Sequence, residues 1–122
     1  MTKPLADFRA NYKLGALRRA DLHADPFVQF GTWFSQASEA GVPEPNSMTL
    51  STATSDGKPS SRMVLLKDFT ERGFVFYTNM QSRKGGELLA NPFASLLFFW
   101  PMLERQVRIE GGVAVVTEEE AE

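Results

Sequence analysis

Four cations in this chain are placed as an anion site would need them. Arg62 and Lys67 bracket the apolar run of SSRMVLLK, Ser60 to Lys67. FYTN follows at Phe76 to Asn79, and SRKGG at Ser82 to Gly86. The first two runs read as strands and the third as a helix start, with Ser82 as the cap and Arg83 and Lys84 as the first helical residues. Free backbone N–H groups and the positive end of the helix dipole gather at such a start. Cations are unfavourable there unless an anion is present, so the pattern points to a bound phosphate. Tyr77 and Thr78, at the end of a strand, offer hydroxyls or backbone groups to a flat polar ring. Gln106, between Arg105 and Val107, carries an amide that both donates and accepts, which suits a heterocycle with alternating N–H and C=O groups.

Taken singly, each of these residues has a plainer explanation. Surface Arg and Lys are common and usually idle. Tyr77 fits ordinary strand packing equally well, and Gln106 fits a solvent-facing strand position. Other chemistries lack their residues. His23 is the only histidine and the chain has no cysteine, so no metal site is expected. No Ser-His-Asp order can be assembled. GGE after SRK lacks the GK[ST] end of a nucleotide-binding loop. No residue is assigned a catalytic role.

The chain has 122 residues, enough for one domain with one core, and ten Phe and two Trp to fill it. The net charge of -2, with scattered basic residues, gives no reason to expect nucleic acid or a membrane surface. Apolar runs fall far short of a bilayer span, and MTKPLADFRANYK has no signal-peptide core. The expectation is a cytoplasmic protein.

The elements that must position the cations follow from periodicity. Residues 1–24 read as an arm with a helical turn, and 25–122 as the domain. Asp25 caps a helix with Pro26 at its first position, and Phe27, Phe30, Phe34 and Ala37, widened by Trp33, form its apolar stripe. Gly41 ends it. From Ser47 the period becomes two, and Asp56-Gly57 predicts a hairpin into SSRMVLLK. Arg62 to Leu66 lack alternation, which predicts burial on both faces. DFTERG reads as the next turn, Phe74 to Asn79 as a strand, and Ser82 to Asn91 as a short helix stopped by Pro92. ASLLFFW and RQVRIEG are further strands, and GVAVVT prolongs the last or forms a sixth. The expected fold is mainly β with flanking helices, an antiparallel barrel or sandwich. Phe98, Phe99 and Trp100 put large apolar groups on both faces of one strand, so one face needs a helix or a partner. TEEEAE reads as a helix start, which predicts that the protein continues.

Several motifs, in this order, resemble those of pyridoxamine 5′-phosphate oxidases: ADP…WF, EPNSMTLST, GKPSSRMVLLK, GFVFYTN, SRKGGELLANP and FFWPMLERQVRIEG. The likeness runs from about Arg9 onward. It implies an antiparallel FMN-binding split β-barrel, working as a homodimer with FMN at the subunit interface. The implied reaction is oxidation of pyridoxamine or pyridoxine 5′-phosphate to pyridoxal 5′-phosphate by dioxygen, with release of hydrogen peroxide. The FMN contacts it implies are Arg62, Met63, Val64, Leu65, Leu66, Lys67, Tyr77, Thr78, Arg83, Lys84 and Gln106. Arg83 and Lys84 would hold the phosphate. Lys67 would also reach substrate, and Arg9 and Tyr12 would cover it from the arm as a lid. Arg18 and Arg19 match a basic pair of that arm with no assigned role. The absence of GxGxxG favours FMN over FAD or NAD. Such oxidases continue past the position of Glu122 with further substrate contacts. The barrel is therefore expected to be incomplete at its C-terminal end, and these residues alone to dimerise with little turnover. Two alternatives are a non-catalytic FMN-binding module and a split-barrel flavin oxidoreductase with another substrate.

Overall fold

A computed structural model describes residues 4–5, 18–79 and 81–116. Arg9 and Tyr12, and the helix start expected at Thr117, lie outside them. Of the arm, the described part includes a short 3-10 turn, Arg19–Asp21.

Helix α1 is Pro26–Glu39. Its start is as expected: the Phe27 N–H donates to Asp25 Oδ1 at 2.9 Å, and Pro26 needs no partner. It stops at Gly41, whose φ of 78° only glycine adopts without cost. The N–H groups of Gly41 and Val42 bond back to Ser38 and Ala37, closing the helix end.

Five strands follow: β1 Ser47–Ala53, β2 Pro59–Thr70, β3 Gly73–Phe76, β4 Phe93–Trp100 and β5 Arg105–Gly112. Helix α2, Arg83–Ala90, stands between β3 and β4. The strands form one antiparallel sheet in the order β3-β2-β1-β4-β5, curled into half a barrel. The β1–β2 hairpin turns at Asp56-Gly57 as predicted, with Gly57 at φ 91°. Residues 113–116 form no sixth strand; β5 simply continues through Gly112.

The inward face of the sheet and α1 enclose the core. Met48 and Leu50 from β1, Leu66 from β2, Leu96, Phe98 and Trp100 from β4, and Phe30 and Ala37 from α1 are buried. Phe30 lies at the centre, with ring centroids 4.8–6.0 Å from Phe34, Phe69, Phe74, Phe98 and Trp100. The Trp100 indole N–H donates to Pro45 O at 3.0 Å.

β2 departs from expectation in two ways. Its faces are not both buried: Arg62, Val64 and Leu66 face inward, while Met63 and Leu65 are 61% and 53% exposed. Among the described residues the outward face of this sheet has no second layer, so an apolar run there stays uncovered. β2 also runs on through Asp68–Thr70, where a turn was expected. Leu66 pairs with Phe76 but Asp68 with Val75, so Lys67 is an extra residue, a bulge. One added residue reverses the alternation. That is why Leu66 and Phe69, three apart, both face the core. β3 correspondingly ends at Phe76, short of the predicted Asn79.

No helix among the described residues is long and apolar enough to cross a membrane.

Candidate functional site

The bulge decides where Lys67 goes. A bulged residue leaves the ladder and its side chain is re-aimed. Lys67 Nζ stands 5.7 Å from the centroid of the Tyr77 ring, which emerges just past β3. With Asn46, Val64, Leu65 and Leu66 they line an open depression of about 530 Å³. Asn46 fixes its edge: its side-chain amide donates to Leu66 O, and its own carbonyl accepts from the Leu66 N–H at 2.8 Å.

The chain passes from Tyr77 to the start of α2 through a tight turn, in which the Ser82 N–H donates to Asn79 O at 3.0 Å. Ser82 caps α2 as expected, accepting from the Gly85 N–H at 3.2 Å. Thr78, within this connection, has a buried Oγ1 with no hydrogen-bond partner among the described residues. A buried hydroxyl left unpaired is costly, and a bound polar group that reaches it would satisfy it. Arg83 is exposed and Lys84 half-buried, both on the first turn of the helix. The positive helix end, two cations and an orphan hydroxyl four residues before the cap lie close together in the chain, and donors of these types suit a phosphate ester.

Arg62 behaves differently from the other cations. It lies mid-strand and inward, with its guanidinium bonded to Leu50 O, Thr52 Oγ1 and Ser60 Oγ at 2.6–3.0 Å. It also stands 3.7 Å from Glu87 on α2. Glu87 is the residue the sequence reading missed. Its side chain is only 7% exposed, and it accepts from Thr52, from Ser60 at 2.9 Å and from Arg83 Nε at 3.0 Å. The Thr52 and Ser60 hydroxyls, and then the charge and hydrogen bond of Arg83, outweigh desolvation and lower the Glu87 pKa to about 2. Arg83, one of the two helix-start cations, therefore has an anion inside the protein already. The four-residue spacing from Arg83 was the available signal, but a lone Glu on a short helix reads as solvated.

Gln106 sits on the outward face of β5, opposite Phe99. Three strand spacings, about 14 Å, separate β5 from β2, so Gln106 does not join the Lys67 cluster within one chain. It shares its face with Met63, Thr49, Leu97 and Phe99, all four of which border a second depression of about 340 Å³. The structure thus gathers Lys67 with Tyr77, and Arg62 with Arg83 through Glu87. It leaves Gln106 apart. No cluster of three His, Asp or Glu that could hold a metal ion occurs among the described residues.

The sequence profile of the pyridoxamine 5′-phosphate oxidase family matches residues 34–122. This chain belongs to that family. A pyridoxine/pyridoxamine 5′-phosphate oxidase of Paraburkholderia phytofirmans is 58% identical over 97% of the chain, which covers 55% of that protein. One of Gloeothece citriformis is 58% identical over 100% of the chain and 57% of its own length. The chain thus spans about half the length of these curated relatives. Among solved structures, PhzG from Burkholderia lata, in complex with tetrahydrophenazine-1-carboxylic acid, superposes with a TM-score of 0.80 at 36% identity, over 86% of this chain and 53% of that one. A pyridoxamine 5′-phosphate oxidase-related, FMN-binding protein of Nostoc punctiforme gives 0.63 at 18% identity, over 82% of this chain and 54% of its own, which shows the shared fold alone. The half-barrel is thus the fold expected from the resemblance, and it decides between the barrel and the sandwich that the residues left open.

Proposed function

We propose that this chain is the flavin-holding part of a pyridoxine/pyridoxamine 5′-phosphate oxidase, acting in the cytoplasm as a homodimer. Its reaction would take pyridoxamine or pyridoxine 5′-phosphate to pyridoxal 5′-phosphate. The observation that carries this reading is 58% identity along the whole chain to proteins of that name. Bound FMN would supply the redox chemistry, two-electron oxidation of the substrate with dioxygen as the final acceptor, giving hydrogen peroxide. The chain's own residues bind and orient. Arg83 and Lys84, at the positive end of α2, would hold the phosphate of FMN, with the Thr78 hydroxyl as a further donor. The β2 segment from Arg62 to Lys67 would line the flavin, and Lys67, turned out by the bulge, would also reach substrate phosphate. Arg9 and Tyr12 would cover the substrate from the arm.

The homodimer is supported by the uncovered outward face. Met63, Leu65 and Phe99 are each more than half exposed, and a patch of this kind marks an association surface. Gln106 and Lys67 stay apart within one chain, so a site that used both would draw one of them from the partner.

A second reading, oxidation of a different reduced ring on the same flavin site, is favoured by the likeness to PhzG. The experiment that separates them supplies the whole FMN-loaded protein with pyridoxamine 5′-phosphate or with a reduced phenazine carboxylic acid, and follows oxygen uptake. Pyridoxal 5′-phosphate formation supports the first reading; turnover of the phenazine alone replaces it with the second.

A further inference from the structure

Thr52 and Glu87 are the buried polar side chains of the described structure, and each bonds the other. A carboxylate is kept out of water only where donors surround it. Glu87 has them from three elements. Thr52 comes from β1, Ser60 and Arg62 from β2, and Arg83 from its own helix. The two arginines are used differently. Both terminal nitrogens of Arg62 are spent on Leu50, Thr52, Ser60 and Glu87. Arg83 gives Glu87 its Nε–H, and its side chain is otherwise 73% exposed. A guanidinium held at Nε keeps a planar pair of terminal amino groups, the edge that grips a phosphate in two places.

We propose that Glu87 is the positioning residue of the anion site. By holding Arg83 at Nε, it fixes the direction in which the terminal amino groups of Arg83 face a phosphate at the start of α2. The same carboxylate anchors that helix start to β1 and β2 through Thr52, Ser60 and Arg62. The arginine chain is long and flexible, so fixing it beforehand removes ordering that binding would otherwise have to supply. Lys84 is not among the groups that bond Glu87, so its side chain is not aimed by that carboxylate. The inference rests on the reading of Arg83 and Lys84 as ligands of the FMN phosphate.

A double-mutant cycle tests it, read as the FMN dissociation constant on dilution of the holoprotein. Alone, Arg83→Ala and Lys84→Ala should each weaken FMN roughly tenfold or more, as loss of a charge-assisted bond does. In a Glu87→Ala background, Arg83→Ala should cost no more than about threefold, because the arginine has already lost its direction, whereas Lys84→Ala should keep its full effect. Glu87→Gln retains the shape and one acceptor oxygen. It should give an intermediate Arg83 effect, and it serves as the background if Glu87→Ala does not fold. Removing the Glu87 charge lessens repulsion of the phosphate in every variant alike and leaves the cycle unchanged. An undiminished Arg83 effect in both backgrounds overturns the proposal. So does an equal shrinkage for Lys84, which would mean a helix start loosened as a whole. If neither cation matters in the otherwise unaltered protein, the phosphate-site reading fails and takes this inference with it.

Discussion

The two helices are fastened to one sheet by opposite means. α1 lies on the core with rings: Phe30 alone meets five other aromatic side chains. α2 buries one large apolar side chain, Leu88, but its polar tie is a carboxylate, with Glu87 bonded to both strands of the β1–β2 hairpin. Apolar contact is shared among many neighbours and depends little on angle. A buried ion network depends on each donor and on direction. The cations read as the phosphate site belong to the second region, where position matters most, and the first supplies the rigidity behind it.

The largest effect expected is at the ring cluster. Phe30→Ala should cost about 3–5 kcal/mol of stability in urea denaturation, a large fraction of what a domain has. A cost below about 1 kcal/mol would mean that α1 is not held as described. At the other helix, Arg83→Ala with Lys84→Ala should weaken FMN by about 3 kcal/mol or more. Stability without flavin should fall only slightly, since the Arg83–Glu87 pair is lost while like charges leave the helix start. Flavin titration and melting curves on the same samples separate the two effects.

Acid should act on the second region through Glu87. The Glu87 pKa is lowered from 4.5 to about 2. A depressed carboxylate stabilises the fold fully above its unfolded value, and that stabilisation is lost as pH falls through the folded one. Between about pH 4.5 and 2, melting temperature should therefore drop less steeply in Glu87→Gln than in the unaltered protein; parallel curves would deny the network its charge. The smallest change in stability belongs to neither region. Phe99→Ser, on the open face, should alter the stability of the chain by no more than about 0.5 kcal/mol. It should nonetheless shift the mass measured by light scattering toward the monomer.

What was legible in the sequence follows the same division. Asp25-Pro26, the Phe stripe, Asp56-Gly57 and Ser82 announced α1, the hairpin and α2, because caps, turns and periodicity are local. The bulge at Lys67 left no trace in composition, since it exists only as an offset between two paired strands. Without it, Phe69 was placed in a turn instead of the core. Met63 and Leu65 were expected to be covered because the run is apolar throughout, but hydrophobicity does not say which molecule does the covering. At the candidate site, the cations Lys67, Arg83 and Lys84 were singled out by type and spacing. The buried partner of Arg83, Glu87, was not, because its burial depends on Thr52 and Ser60 from distant strands.

The central claim, a phosphate held by the start of α2, is tested most directly by comparing FMN with riboflavin, which differ only in that phosphate. Titration of the flavin-free protein should show FMN binding at least about a hundredfold more tightly, the equivalent of roughly 3 kcal/mol from the phosphate contacts. Equal affinity for the two flavins would contradict the account.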